Sequence, residues 1–300
     1  MRRSLILTTI VVASLIVPFS TSAHADQKFI VDCLFAHRAK DDPIVYPRHP
    51  GASHMHDFFG NRSTGAFSTY RSMLRARTNC DMAGETAAYW APTLMRGNGT
   101  IVTPRRIKIY YRSGLLPGRR TNPFPKNFRM IAGGVHSIGK YSGWNCDGTA
   151  LSKTARIDCS GRSVGHTYVR GEIIFPMCGR MKAGRIVTDS VNHRSHVAYG
   201  SHKTGCPRTH PVQLPAIKVN IRYGISNCKL ARCHLVSDMM MGAMVPGGSL
   251  HADFWNTWHQ RLLTKMVLQK LNGSAEGGGA PSPRPVAAPR RRAPSPRPSR

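Results

Sequence analysis

The chain has 300 residues and a formal net charge of +29, from 43 lysines and arginines against 14 aspartates and glutamates. A field of that sign attracts polyanions, which include nucleic acid, anionic wall polymers, acidic polysaccharide and lipid head groups. The basic residues are scattered and carry no RNA-binding or helix-turn-helix signature, so nucleic acid is not the favoured partner. A merely solvated basic surface is the alternative interpretation.

The N-terminus carries the three parts of a secretory signal peptide. Arg2 and Arg3 precede an apolar run over 5–17, and the small-x-small sequence AHA follows at 23–25. The run has 13 residues, whereas a helix that spans a bilayer needs about 20. We therefore predict a signal peptide over 1–25 and a secreted, extracellular protein with no transmembrane segment. A retained membrane anchor is the alternative.

After the signal peptide, the sequence predicts one folded block over 26–272, because this stretch has no internal linker or repeat and can bury a full core. The tail over 273–300 is rich in Pro, Gly, Ser and Arg and lacks apolar periodicity, which predicts a disordered basic segment. The signal peptide contributes a charge of +2 and the tail +5, which leaves about +22 on the block. This remainder favours binding to an anionic extracellular or cell-wall polymer.

The secondary-structure signals are mostly β. Alternation and β-branched or aromatic enrichment predict strands over 106–112, 171–177, 195–200 and 217–224. A helix is predicted over 253–273, where apolar residues recur at every fourth position: Phe254, Trp258, Leu262 and Met266. We predict a mainly β fold: an antiparallel β sandwich-like single domain with long loops, a C-terminal helix and stabilising disulfides.

Eight cysteines lie in the predicted mature chain: Cys33, Cys80, Cys146, Cys159, Cys178, Cys206, Cys228 and Cys233. An even count in an exported protein predicts disulfides, and the lack of a C-x-x-C pair argues against a zinc ribbon or a thioredoxin-like motif. Closeness in sequence favours the pairs Cys146–Cys159 and Cys228–Cys233. The remaining connectivity stays open.

The sequence HMHD at 54–57 is the first candidate site. In an extended strand His54 and His56 point to the same side, because side chains alternate with a period of two. Asp57 then faces the other way, unless the chain turns there. Two imidazoles on one face can bind a metal ion, or one can act as a base that the other orients.

Two further histidine clusters follow. His193 and His196 are three residues apart, which favours a turn and not one face of a strand. His251 and Asp253 form the third cluster, beside the predicted helix. We expect Asp253 to be the N-cap of that helix rather than a catalytic group.

Several stretches, taken in order, resemble the secreted family labelled DUF1996. They are DDPIVYPRHPGASHMHDFFGN, AAYWAPTL, NPFPKNFRMIAG, WNC, NHRSHVAYG, CPRTHPVQLPAIKVNIRYG and HADFWNTW. The label stands for a domain of unknown function, so the resemblance implies no mechanism. It does imply export, and fungal members are often joined to modules thought to bind carbohydrate, which implies a surface or wall setting.

The resemblance also implies a set of functional positions. Those that match the family's recurrent polar residues are His54, His56, Asp57, Tyr89, Trp90, Tyr111, His193, Ser195, His196, Tyr199, His210, His251 and Asp253. The sequence departs from the family after Cys178, where Gly179 and Arg180 replace the usual tryptophan and acidic residue. Either that loop takes no part in the family's chemistry, or the edge of the substrate site is altered in this member.

The first functional hypothesis is a polysaccharide lyase or hydrolase. A lyase needs a base and an acid, for which we expect His54 or His56 and Tyr89 or Tyr111. The catalytic set is completed by Asp57, His196 and His251. A two-carboxylate glycosidase is less favoured, because Glu85 and Glu172 are the only glutamates before the tail.

The second hypothesis is a zinc or copper site. Its candidate ligands are the imidazoles of His54, His56 and His196 or His251, with Asp57 as a fourth ligand. The sequence specifies no cofactor beyond this transition metal and no oligomeric state.

The third hypothesis is a non-catalytic protein that binds wall polymer. Trp90 and Trp144 would stack on sugars in that case. The other candidate binding residues are His193, Ser195, Tyr199 and Asp253.

Overall fold

The computed structural model describes residues 27–113, 119–134, 136–163 and 166–273. The predicted signal peptide over 1–25 lies outside the described residues, as does the tail from residue 274 onward. The domain boundaries at 26 and 272 therefore stay predictions.

Nine antiparallel strands form the main sheet, in the order β7-β17-β3-β2-β1-β6-β15-β9-β8. Their bounds are β1 Lys28–Ala39, β2 His56–Gly60, β3 Ala88–Pro92, β6 Pro104–Arg112, β7 Arg129–Gly133, β8 Ser142–Asn145, β9 Arg170–Ile174, β15 Ala216–Tyr223 and β17 His251–Trp255. Short strands fill the loops: β4 Leu94–Met95, β5 Ile101–Val102, β10 Cys178–Gly179, β11 Met181–Lys182, β12 Arg185–Ile186, β13 Val197–Ala198, β14 Val212–Gln213 and β16 His234–Leu235. The helices are α1 Tyr70–Leu74, α2 Ser237–Met240 and α3 Gln260–Met266, and α3 continues into a π-helical turn, Val267–Leu271.

Strand β1 belongs to two layers. Its first part, from Lys28 to Leu34, pairs with β6, and its second part, from Phe35 onward, pairs with β2 across a register shift. A bulge of this kind bends a strand and lets it pass from one layer to another. Layer 1 consists of the first part of β1 together with β6, β15, β9 and β8. Layer 2 consists of the second part of β1 together with β2, β3, β17 and β7.

The core lies between the two layers. Layer 1 contributes Val31, Ile109 and Val219 and layer 2 contributes Tyr89 and Phe254, all fully buried in one cluster. These residues alternate with outward-facing neighbours along each strand, as a two-layer β structure requires. The predicted mainly β, sandwich-like fold is confirmed.

The strand predictions succeed where the pattern is long. The predicted strands 106–112 and 217–224 correspond to β6 and β15, and 171–177 corresponds to β9, which ends at Ile174, two residues before Pro176. Only two residues of 195–200 form a strand, because that stretch makes a short pairing with β10 inside a loop.

The C-terminal helix is confirmed, but it starts later than predicted. It begins at Gln260, with His259 at the N-cap position, whereas Asp253 lies inside strand β17. Backbone pairing with both β3 and β7 holds this segment extended, and that long-range pairing outweighs the local helical periodicity. The predicted N-cap role of Asp253 is therefore wrong.

All eight cysteines are paired. The two pairs expected from closeness, Cys146–Cys159 and Cys228–Cys233, are confirmed. The other two disulfides join Cys33 to Cys80 and Cys178 to Cys206. Within the described ranges, no helix is both long and apolar enough to cross a bilayer.

Candidate functional site

A polar pocket lies on the outer face of layer 2. In β2 the side chain of Phe59 enters the core, so His56, three residues earlier, points outward together with Phe58. In β17 Phe254 faces the core, and His251 and Asp253 point outward for the same reason. Because β3 separates these two strands in the sheet, their outward side chains gather on either side of it.

Three imidazoles meet in this pocket. The ring centroids of His54 and His56 are 4.2 Å apart, and those of His54 and His251 are 5.2 Å apart. One ring nitrogen from each of the three histidines lies within 4.8 Å of the other two. The three residues are almost wholly buried, with exposed fractions of 9% for His54, 0% for His56 and 4% for His251.

The backbone fixes how two of these rings are protonated. Nδ1 of His56 lies 2.9 Å from the carbonyl oxygen of Asp41, and Nδ1 of His251 lies 2.7 Å from that of Ser249. A carbonyl oxygen only accepts, so in both rings Nδ1 carries the hydrogen and Nε2 keeps its lone pair. Nε2 of His54 and Nε2 of His56 are buried without a hydrogen-bond partner.

Two carboxyl groups border the imidazoles. One carboxylate oxygen each from Asp42 and Asp253 lies within 4.8 Å of a ring nitrogen of His56. Oδ1 of Asp42 accepts the backbone N–H groups of Ile44 and Val45, at 3.1 and 3.0 Å. Both carboxylate oxygens of Asp253 are buried and have no hydrogen-bond partner.

Burial sets the charge of the pocket. It lowers the pKa of His54 to about 4 and that of His251 to about 3, and it holds the pKa of His56 well below its ordinary value. Burial also raises the pKa of Asp253 well above its usual range, with a further rise from nearby Asp42. The imidazoles are thus neutral near pH 7, the form that binds metal ions, and they are weak general bases.

Asp57 does not join this pocket. Its side chain faces the opposite side of β2 from His56, where Oδ1 accepts Nε–H of Arg38 at 2.6 Å and Oγ1–H of Thr93 at 3.0 Å. Burial raises the pKa of Asp57 to about 6 in spite of these donors. The expected fourth ligand is therefore an ion-pair partner of Arg38.

The two candidate acid tyrosines lie in the core. The hydroxyl oxygens of Tyr89 and Tyr111 are 2.6 Å apart between the layers, and both side chains are fully buried. Burial raises the pKa of each well above its ordinary value. They are separated from His54 and His56 by the thickness of layer 2, so the structure does not bring together the acid and base of the lyase hypothesis.

His196 is not placed to bind a metal ion. Its Nδ1 lies 2.9 Å from Oγ of Ser190 and its Nε2 lies 2.7 Å from the carbonyl oxygen of Arg129, so both ring nitrogens are engaged. Nδ1 of His193 lies 2.7 Å from a carboxylate oxygen of Asp189. These two histidines order a loop that docks against β7.

The other candidate binding residues also serve the fold. Trp90 and Trp144 are fully buried and cannot stack on a sugar. The hydroxyl of Tyr199 donates to the carbonyl oxygen of Ile174 at 2.8 Å. Ser195 is exposed, and its carbonyl oxygen lies 3.1 Å from Nε2 of His210.

Sequence reasoning missed Asp42. The sequence signal that could have identified Asp42 was its place at the start of the stretch DDPIVYPRHPGASHMHDFFGN, which resembles the family, in a chain with few acidic residues. The structure also brings Cys33, Cys80 and Glu85 within 4.8 Å of one another. The two sulfur atoms are bonded to each other, so this group is not a metal site.

Comparison with known proteins gave one match, to a family. The profile of a family described as "Domain of unknown function (DUF1996)" matches residues 42–258, a range that contains every residue of the pocket. No curated protein and no solved structure matches the chain.

Proposed function

The chain belongs to the DUF1996 family, and we propose that in this member the pocket of His54, His56 and His251 binds a divalent transition-metal ion. The observation that carries the proposal is the convergence of three buried imidazoles, two of which have Nδ1 anchored on a backbone carbonyl. Metal-binding histidines typically use one ring nitrogen for the ion while the other donates to a carbonyl or carboxylate.

The donor set favours zinc or copper. Imidazole suits both ions, and three histidines at one zinc ion leave a position for water or substrate. Such an ion supplies Lewis-acid polarisation and an activated water. His54 retains the largest exposed fraction of the three rings, so the approach to the ion would be on its side.

The unpartnered groups of the pocket support a cation there. Burying a carboxylate without a hydrogen bond is costly, and neither oxygen of Asp253 has a hydrogen-bond partner, although the charge of Arg194 attracts it. A divalent cation beside His56 would offset this cost for Asp253. It would also supply a partner to the ring nitrogens of His54 and His56.

The first test is elemental analysis of the chain purified without a His-tag or chelator. We expect about one equivalent of zinc or copper per chain, and its loss in His251→Asn and in His54→Asn. Loading with Co²⁺ should give visible absorption bands that both variants lack. His49→Asn, which changes an exposed histidine of the same loop, and Asp57→Asn should keep the metal.

A folded protein that takes up neither its native metal nor Co²⁺ would contradict the proposal. Retention of metal by His251→Asn, with loss in Asp57→Asn, would instead assign the site to the opposite face of β2.

We also propose that the protein is exported and works outside the cell, where it is a candidate for cell-wall association. Four disulfides support this, because such bonds form and persist in oxidising compartments. N-terminal sequencing of protein recovered from the medium should begin at Asp26. Recovery only from the cytosol, with residues 1–25 intact, would contradict export.

Action on extracellular polysaccharide, by a lyase or a hydrolase, is the second candidate function. A basic face on layer 1 favours association with an acidic polysaccharide, but it lies on the opposite side of the sandwich from the histidine pocket, so it supports binding of the polymer and not its turnover at that pocket. A metal-assisted version fits the pocket better than a histidine–tyrosine lyase, because the tyrosines are enclosed in the core and the imidazoles are weak bases.

A further inference from the structure

We propose that the outer face of layer 1 is a docking surface for a linear anionic polysaccharide of the polyuronate class. This face is on the opposite side of the sandwich from the histidine pocket, because the pocket lies on the outer face of layer 2. The inference does not rest on metal binding.

The face is basic because of strand alternation. In β6 the side chains of Ile107, Ile109 and Tyr111 enter the core, and in β15 those of Ile217, Val219 and Ile221 do so. The residues between them therefore point outward. On β1, β6, β15 and β9 the outward-facing cations are Lys28, Arg106, Lys108, Arg112, Arg170, Lys218 and Arg222. The outward-facing acidic residues on the same strands are Asp32 and Glu172.

This arrangement matches an extended polyanion. Neighbouring strands lie about 4.8 Å apart, and alternate residues along a strand are about 6.8 Å apart, so the cations form a two-dimensional array. Arg106 shares Asp32 with Lys108, at 2.9 and 3.9 Å. One carboxylate between two cations leaves a net positive charge at that point.

A cavity of about 320 Å³ opens on the same face. Its polar lining comes from Tyr110, Asn145, Arg170, Glu172, Lys218 and Asn220, and the loop from Asp147 to Leu151 forms one wall. Inside the cavity the charges are paired: Nζ of Lys218 lies 3.2 Å from Glu172, and Arg170 binds Asp147. The cavity is thus nearly neutral, within a basic surround.

Two buried polar atoms in the lining have no partner. Asn145 is 4% exposed, and its Oδ1 accepts no hydrogen bond, although its Nδ2 lies 3.4 Å from a Glu172 oxygen. Nε of Arg170 is also buried and unpartnered. An unmade hydrogen bond of this kind is costly. Both atoms are closed to solvent, so a sugar hydroxyl reaches them only after a lining side chain shifts.

The lining favours a glycan over a phosphate polymer. The carboxylates of Asp147 and Glu172 can accept sugar hydroxyl groups, whereas a nearly neutral lining offers a phosphate group no net positive charge. The half-buried ring of Tyr110, with Nζ of Lys218 5.6 Å from its centroid, offers a face on which a sugar ring can pack. A polyuronate supplies hydroxyl groups for the cavity and carboxylates for the surrounding cations.

The test is titration of the full chain with a defined oligogalacturonate. We expect binding that weakens with added salt, and about tenfold weaker binding by the double variant Lys108→Gln/Lys218→Gln. The matched control is Lys182→Gln/Arg185→Gln, which removes the same charge from the exposed hairpin β11–β12 and should leave binding within about twofold. The single variant Lys108→Gln leaves the Lys218–Glu172 pair intact. We expect it to lose part of the affinity for the oligogalacturonate, while the midpoint of its thermal unfolding stays unchanged.

Equal losses in the test and control variants would overturn the proposal, because binding would then be diffuse attraction to the whole basic molecule. The proposal would also be overturned if inorganic polyphosphate bound as tightly as the oligogalacturonate, with the same sensitivity to the variants. The face would then recognise negative charge without selecting for a sugar. The metal content of each variant is measured in the same samples. It should not change, so failure here is distinguishable from failure of the metal site.

Discussion

Glu85 and Asp253 are both fully buried acidic side chains, yet their surroundings differ. Oε1 of Glu85 accepts the hydroxyl of Tyr89 at 2.8 Å, and this hydroxyl continues into a chain through Tyr111 to Nε1–H of Trp258. Asp253 has no such donors. A satisfied network is typical of structural polar groups in a core, whereas the unpartnered oxygens of Asp253 beside imidazoles are part of the argument for the proposed metal site.

Glu85 makes stability depend on pH. Burial raises its pKa to about 8, from an ordinary 4.5, so the folded state keeps a proton that the unfolded chain loses. Stability from this group is therefore fully present below about pH 4.5 and is lost as the pH rises to about 8. Glu85→Gln keeps the shape of the side chain and leaves it neutral at every pH. We predict that this variant lacks the part of the pH-dependent loss of stability that comes from Glu85.

Urea unfolding of wild type and Glu85→Gln at pH 5, 7 and 8.5 measures the effect. The difference between the two proteins isolates Glu85 from Asp42 and Asp57, whose pKa values burial also raises. Free energies of unfolding that stay parallel over this range would show that Glu85 is ionised in the fold.

At the scale of elements, the pocket depends on how closely β7 and β17 approach. Gly133 ends β7 opposite His251, with a φ of +94°. A Cβ atom there would lie 2.4 Å from the carbonyl oxygen of Leu250 and 2.7 Å from Cα of His251. Glycine is therefore required both by the backbone conformation and by the space.

We predict that Gly133→Ala destabilises the fold by about 3 kcal/mol and displaces His251 enough to lower metal uptake by the folded fraction. Chemical denaturation and elemental analysis measure the two effects. Gly139→Ala is the control, because its Cβ would meet no atom within 4 Å. Full metal content and unchanged stability in Gly133→Ala would mean that β17 can shift without loss of the pocket.

The element scale also shows how far sequence reasoning reached. Alternation predicted β6 and β15 because their inward and outward residues differ in polarity over eight residues or more. His54 lies before β2, so its contact with His56 is made by the loop and not by strand alternation. The segment from Asp253 to Trp255 was read as helix because Phe254 and Trp258 are four apart. Its extended form depends on β3 and β7, which are distant in sequence.

The composition of the site needed the same long-range information. His251 reaches His54 only because β17 and β2 flank β3, and Asp42 joins them from the loop after β1. Spacing within one segment cannot distinguish His251 from His196 as the third imidazole. The ring contacts of His196 with Ser190 and Arg129 make that distinction.

At the scale of the whole molecule, the sandwich separates two surfaces of different character. One outer face carries a small pocket of neutral imidazoles and buried carboxyl groups, and the other carries an open array of cations around a polar cavity. The apolar core fills the space between them. No residue named for one surface belongs to the other, so each can be altered without direct loss of the other.

The position of β17 also has a consequence for truncation of the chain. It is the last strand of the sheet in the chain, yet it lies between β7 and β3 and not at an edge. A chain that ended at α2 would lack the strand that joins β3 to β7, and with it one of the three imidazoles. Residues 251–255 are therefore needed both for the continuity of the sheet and for a complete pocket.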